Sequence, residues 1–371
     1  MNTLLRGVIW LGLVGGLAGC AVAPPTCPEP FVGDRPSFSQ PIQIRHAQGF
    51  RVTYGPHHKL VTVGNARYLL QPCGAPPAFP GDRDLVRVTV PVRSLAALST
   101  THLQHLVDVG VVDRLVAVGR AADVSHPQIQ QRLVAGAIRE VGSPEAPNHE
   151  ALWLRQPDIV FSYVSDPKLR EGGVPVALVL EFQEHTPLAR AEWGKFIALF
   201  VNREAEAERV FAQVETNYQR LARTVATLRP TVLLNSAYRG QWFMPEGQSF
   251  VAKLVADAGG QHLWADLAGT GSRPLSWEAV FVRGQTAQVW LPGHLTWRTR
   301  REVVAEDPRY GELTAFQTGQ VFNAIGEPGQ GNDLWERGVA RPDEVLADLV
   351  ALFHPDRLPN HHLRYFRRLA P

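Results

Sequence analysis

Cysteine is scarce in this chain, with three in 371 residues, neither sign of charge is in excess, and the apolar run at the N-terminus is short. Each shortage excludes something. Lys plus Arg number 37 against 35 Asp plus Glu, a formal charge of +2, and the basic side chains are dispersed except in the last few positions, so there is no electrostatic footprint for nucleic acid. The apolar run from Gly7 to Leu17 falls short of the roughly 20 residues of a permanent membrane span. No Gly-x-Ser-x-Gly elbow occurs, and Ala268-Gly-Thr-Gly-Ser-Arg-Pro274 lacks the Gly-Lys-Ser/Thr ending of a phosphate loop. With nothing assembling an acid–base pair, a hydrolase is the weaker reading and no cofactor is implied. A bare zinc or manganese site needs three or four converging His, Asp or Glu ligands. His57 and His58 fall in N-terminal strands and His361 and His362 in the tail, which leaves His102, His105, His126 and His294 to keep that alternative open.

What is present begins with MNTLLRGVIWLGLVGGLAGC, a polar start with Arg6, an apolar run and small residues before Cys20, the pattern of an export signal. Leu17-Ala-Gly-Cys20 resembles the bacterial lipoprotein box, which implies cleavage over residues 1–20 and lipidation at Cys20. The Pro-rich AVAPPTCPEP that follows reads as an extended spacer. Cys27 and Cys73 then sit in an oxidising compartment, where a disulfide between them is expected. Residues 21–84 read as a tether followed by short antiparallel strands, alternating in polarity and punctuated by Gly49, Gly55 and Gly64.

From Leu85 the texture changes to strands alternating with helical stretches, which predicts an α/β lobe over 85–186 and a second over 229–353, with a tail at 354–371. Between them, RAEWGKFIALFVNREAEAERVFAQVETNYQRL keeps a 3.6-residue apolar period with no internal proline. It predicts one spanning helix over 187–228, about 60 Å long at 1.5 Å per residue. Glu150-Ala-Leu-Trp-Leu-Arg155 before PDIVF is echoed by Glu278-Ala-Val-Phe-Val-Arg283 before AQVWL, each with an N-cap residue two positions ahead of the glutamate, Asn148 and Ser276. The fold expected is α/β, two Rossmann-like lobes joined by one long helix, with an N-terminal β extension.

NHEALWLRQPDIVFSY with GVPVALVLEF, then AEWGKFIALFVNREAEAERVF, then SFVAKLVADAGGQHLWAD and SWEAVFVRG, together make the chain from Val86 to Phe353 resemble the class III periplasmic substrate-binding proteins of ABC importers. That resemblance implies a lipid-anchored protein of the periplasm that holds a metal chelate, an iron-siderophore first and a corrinoid (vitamin B12) or haem as the alternative, between two lobes. It implies delivery to an ABC permease dimer in the inner membrane, with Glu150 and Glu278 as the docking carboxylates. The plainer reading of both acids is a favourable place at a helix N-terminus, about 0.3–1 kcal/mol each. A structural lipoprotein is the alternative of another class.

Ligands of open α/β sheets lie beyond the carboxyl ends of strands. The loops there offer Ser99, Thr100, Thr101, Arg120 and Tyr163 in the first lobe, and Tyr238, Arg239, Trp242, Arg273, Trp277, Trp297, Arg298, Trp335 and Arg337 in the second. Aromatic faces suit a macrocycle or catechol, and arginine answers carboxylates. Ser99–Thr101 equally fit the N-cap of a helix entered at His102.

Overall fold

A computed structural model describes residues 31, 33, 38, 40–82, 84–225, 229–294, 296–324 and 331–371. Cys20, Cys27 and the signal lie outside them. Cys73 is disulfide-bonded.

The N-terminal strands form a meander, β1 (Phe50–Gly55), β2 (His58–Val63) and β3 (Ala66–Pro72), and β4 (Leu85–Val90) joins it parallel to β3, with Tyr68 opposite Val86 and Leu70 opposite Val88. The boundary expected at residue 85 is therefore misplaced: β4 belongs to the N-terminal sheet. Its burial alternates, Val88 and Val90 in against Arg87 and Thr89 out, which is the mark of a sheet with one wet face. Two central strands of the first lobe, Leu95–Ala97 and Ile159–Ser162, are buried on both faces, while its edge strand at Arg139–Glu140 is exposed. In chain order the lobe's strands are β5 (Leu95–Ala97), β6 (Leu115–Val118), β7 (Arg139–Glu140), β8 (Ile159–Ser162) and β9 (Val176–Leu178), all parallel in the spatial order β7-β6-β5-β8-β9. Helices α1 (Leu103–Asp108), α2 (Pro127–Val134), α3 (His149–Arg155) and α4 (Pro167–Glu171) connect them.

The bridge is two helices, not one rod. α5 (Pro187–Val201) stops at Asn202, whose left-handed backbone (φ 53°) lets its N–H and that of Arg203 both bond Ala198 O, and α6 (Glu204–Ala222) begins at once. Asparagine tolerates this conformation at a helix end, and Glu204 and Glu206 suit the N-terminus that follows. The chain reverses there, since Lys195 of α5 lies 3.1 Å from Glu208 of α6 and over the Phe211 ring. Lys59, fully buried on β2, fixes the reversal by donating to Leu199 O, Asn202 Oδ1 and Glu204 Oε1. Burial lowers its pKa to about 8.

Both arms still cross between lobes. Leu188 and Ala191 of α5 pack in the core of the second lobe and Trp193–Val201 in that of the first, while α6 places Ala207 in the first and Phe211, Val214, Tyr218 and Leu221 in the second. Every residue of α5 except Arg190 is buried. Such a helix has no solvent face because it lies inside: the N-terminal sheet covers one side through Phe50 and Tyr68, and Phe161 of β8 meets Phe200 from the other. The segment ahead of β1 straps across the hairpin. Buried Glu192 accepts the backbone N–H groups of Arg45, His46 and Ala47 and the ammonium of Lys195, and Glu184 accepts those of Gln48 and Gly49 with the Trp193 indole.

The second lobe comprises β10 (Thr231–Leu234), β11 (Ala237–Tyr238), β12 (Gln241–Pro245), α7 (Phe250–Asp257), β13 (Gln261–His262), β14 (Ser272–Leu275), α8 (Trp277–Gly284) and β15 (Val289–Leu291). After them come α9 (Arg300–Glu306), α10 (Thr314–Gln317), β16 (Phe322–Asn323), α11 (Asp333–Ala340), α12 (Pro342–Phe353) and β17 (Arg367–Arg368). The parallel order β13-β10-β15 continues through a Trp290–Val321 bridge toward β16, so it repeats β6-β5-β8-β9 of the first lobe. The two glutamate-led helices, α3 and α8, precede equivalent strands, β8 and β15. The tail completes this lobe: β17 pairs with β16, and buried Asp348 accepts from His361, Arg364, Tyr365 and Phe366.

Candidate functional site

Beyond the carboxyl ends of β5, β6 and β8 lies a cavity of about 350 Å³, lined among others by Ser99, Thr100, Arg120, Glu145 and Tyr163. Gly119 lets the chain after β6 approach the end of β5 at its floor, because a Cβ there would stand 2.4 Å from Leu98 O. Ser99 caps the turn Thr100–His102, as its side chain accepts from the Thr101 N–H. Thr101 turns inward, donating its hydroxyl to the buried Glu181 at 2.5 Å, so it is a support of this wall and not part of it. Arg120 pairs with Asp123 at 2.6 Å and stays largely exposed. The Tyr163 hydroxyl donates to Glu145, and partial burial together with that carboxylate pushes its pKa up to about 12, which keeps it a neutral donor at physiological pH.

From Tyr163 a line of rings and one cation crosses to the second lobe. Phe182 meets Tyr163 edge-on at 5.8 Å; Arg190 donates to Phe182 O and lies 3.5 Å over the Phe250 ring; Phe250 meets Trp335 at 6.4 Å. Phe182, Arg190 and Phe250 were not among the residues the sequence singled out. Arg190 occupies the first turn of α5, where the bridge leaves the groove. Burial lowers its pKa to about 10, with Glu181 and Glu184 acting against that, so it remains a cation at neutral pH.

On one side α11 ties the lobes together. Glu336 accepts from the backbone N–H groups of Ser125 and His126 and from the Ser125 hydroxyl, and Arg341 pairs with Asp108 at 2.7 Å. Burial raises the Glu336 pKa against the lowering effect of those bonds. With a folded pKa above its unfolded one, this group binds more protons in the folded state, so its contribution to stability declines as pH rises upward from about 4.5. Glu336→Gln, which keeps a carbonyl acceptor, is therefore expected to gain in melting temperature relative to the parent between pH 4 and 8. A constant difference across that range would contradict the assignment.

Residues 95–325 match the family model described as periplasmic binding protein. The chain belongs to this family, in its class III branch. It is 29% identical over 296 residues to an uncharacterized lipoprotein of Methanocaldococcus jannaschii, covering 75% of this chain and 69% of that one. Its fold is that of a possible iron-binding (periplasmic solute-binding) protein from Staphylococcus epidermidis, at a TM-score of 0.54 and 14% identity over 71% of this chain and 98% of that one. It is likewise that of a periplasmic heme binding protein from Pseudomonas aeruginosa, at 0.53 and 18% over 71% and 93%. No helix among the described residues of this chain is long and apolar enough to cross a membrane.

In this periplasmic binding protein the remaining expected contacts part company. Trp242 and Trp297 are core residues: with Trp290 and Tyr310 they form one aromatic cluster, and their indole N–H groups donate to Leu234 O and Glu306. Trp277 is half-buried on the same cluster, stacked on Phe281 with Arg309 over its face. Five adjacent rings bury more area together than any would apart. Tyr238 and Arg239 stand exposed on the β11–β12 turn, and Arg273 is held by Glu246 at 2.8 Å. Arg337 is clasped by Glu344, while its neighbour Trp335, 44% exposed, faces the groove line. The Arg298 backbone N–H donates to Glu302 and its carbonyl accepts from the Ala370 N–H. His102 and His105 are buried, burial lowering the His105 pKa to about 4, and His294 stacks on Trp297 at 4.0 Å. Among the described residues no three His, Cys, Asp or Glu side chains converge as a metal site.

Glu150 and Glu278 are both exposed in the first turns of α3 and α8, capped alike by Asn148 and Ser276, and neither forms an ion pair with a described residue. The Glu278 backbone N–H and the Ser276 hydroxyl hold its carboxyl below the usual range. Four residues on, Leu154 and Val282 are 80% and 74% exposed.

Proposed function

We propose that the protein captures a metal chelate, an iron-siderophore first, in the groove between its lobes and delivers it to an ABC permease dimer of the inner membrane. The observation that carries this reading is the line Tyr163–Phe182–Arg190–Phe250–Trp335, flat apolar faces around one desolvated cation, running from lobe to lobe. Concave sites at domain interfaces are where such ligands bind. A neutral or bare cationic cargo gains nothing from Arg190, whereas a chelate with carboxylate or catecholate oxygens does. The iron and heme proteins that share the fold favour the same class, and haem or a corrinoid is the second reading because rings so disposed also accept a macrocycle. Ligand contacts are proposed for Ser99, Thr100, Arg120, Tyr163 and Trp335, with Phe182, Arg190 and Phe250 added.

Glu150 and Glu278 are proposed as the docking carboxylates, and the matched exposure of Leu154 and Val282 beside them suits a partner with two similar halves. Lipidation at Cys20 would hold the protein at the membrane on the periplasmic side, in line with the lipoprotein relative. The test is a thermal-shift panel of ferric siderophores, cobalamin, cobinamide and haem. A ligand present at 100 times its Kd raises stability by about 2.7 kcal/mol, so a true cargo shifts the melting temperature by several degrees. Silence across the whole panel would favour a structural lipoprotein instead.

A further inference from the structure

The second lobe contains a cavity of about 120 Å³ that opens beside the second-lobe end of the groove line, which lends it Arg190, Phe250 and Trp335. Leu234 and Leu291 at strand ends, Leu254 of α7, Val345 of α12 and the rings of Phe250 and Trp335 wall it, and Arg190 and Asn235 are its only polar lining residues among those described. Its depth is apolar and its mouth, at Trp335 and the half-buried Phe250 and Val251, is accessible. Water needs two to four polar partners to stay in such a space; apolar cavities of about 150 Å³ remain dry and accept a benzene-sized guest.

The two polar residues are not equivalent. Asn235 spends its amide on Phe243 O. Arg190 donates from Nε and one terminal nitrogen to Glu184 O and Phe182 O, and its other terminal nitrogen has no described partner. The guanidinium carbon lies 3.5 Å over the Phe250 ring centre, and Arg190 lines the apolar hole with that ring. A planar cation in that place recognises a carboxylate whose carbon frame continues into the cavity.

We propose that this cavity is a subsite for a single aryl ring bearing a carboxylate, the ring buried in the second lobe and the carboxylate on Arg190, and that the groove ligand presents such an arm. The second half of that statement rests on the chelate reading; the first does not.

Fluorine NMR of the full chain with 4-fluorobenzoate tests the cavity directly. Saturable binding is expected, weakened at least about 10-fold in Val251→Phe, which narrows the mouth, and in Arg190→Gln, which removes the cation, with fluorobenzene unaffected by the second change. Leu254→Ala, which deepens the space, is expected to admit 6-fluoro-2-naphthoate better than the parent does. Circular dichroism establishes that each variant is folded. Binding that does not saturate, or is equal in parent and Val251→Phe, overturns the subsite. The same variants against the chelate panel separate the two ideas: a chelate bound equally by Val251→Phe removes the arm and leaves the groove reading standing. Benzoate bound without any chelate response supports the cavity and removes the groove reading.

Discussion

A Glu150→Arg, Glu278→Arg double variant is expected to lose uptake by at least about 100-fold, or about 2.7 kcal/mol, while its affinity for the chelate is unchanged. Both carboxylates are exposed, lie in first turns with the same cap, and form no ion pair with a described residue, so reversing them disturbs little beyond the hydrogen bonds of Glu278 to Ser276 and to its own N–H. Their helices precede equivalent strands of the two lobes, β8 and β15, and that equivalence is what turns two ordinary surface acids into a matched pair. A partner built from two similar subunits can place an arginine opposite each, and a bidentate Arg–carboxylate contact supplies direction as well as attraction. Reversal replaces two attractions by two repulsions, hence the size of the expected loss. Growth on the chelate as sole iron source reports uptake, and intrinsic tryptophan fluorescence reports affinity. A parallel fall in both would show that the acids serve the ligand or the fold.

The second large effect is on stability. Glu192→Ala is expected to cost about 3–5 kcal/mol, since it leaves the fully buried Lys195 without one carboxylate and three backbone N–H groups without an acceptor. Glu208 still reaches Lys195 at 3.1 Å and sets the lower end of that range. For domains of this size the melting temperature falls about 2–4 °C per kcal/mol, so a drop of about 6–20 °C is anticipated in calorimetry. Glu206→Ala on the same hairpin serves as the control, because its pairing with Arg209 is exposed and worth little. Equal effects from the two substitutions would mean that the strap of residues 45–47 contributes no stability through Glu192.

Much of the architecture was legible because it depends on period. Strands alternating with helical stretches gave two α/β lobes, and the glutamate-led echo gave their duplication, which the repeated strand order bears out. The unbroken rod failed for a reason that period alone cannot carry. Apolar spacing continues through Phe200, Val201 and Ala205 whether the chain runs on or folds back, and the decisive groups are Asn202 at the turn and Lys59, more than 140 positions earlier in the chain, which ties it down. An Asn followed by an acid-rich turn was the available signal. Strand-end loops were found in the first lobe, where Ser99, Thr100, Arg120 and Tyr163 do come together. In the second lobe the same rule selected tryptophans that follow strands in sequence but turn back into the core, since ring size favours burial and sequence position does not show direction. Phe182, Arg190 and Phe250 went unnoticed because the stretch that carries the first two meets the helix of the third only once the bridge is built.

The reversal at Asn202 has a mechanical consequence. One rod between two bodies bends little but works as an axle, about which either body can rotate; two side-by-side struts, strapped together by residues 45–49, resist torsion as well. On the proposed function, cargo exchange proceeds by local yielding at the rim, in the rings of Phe182 and Trp335, with the two halves holding their bearing to one another throughout.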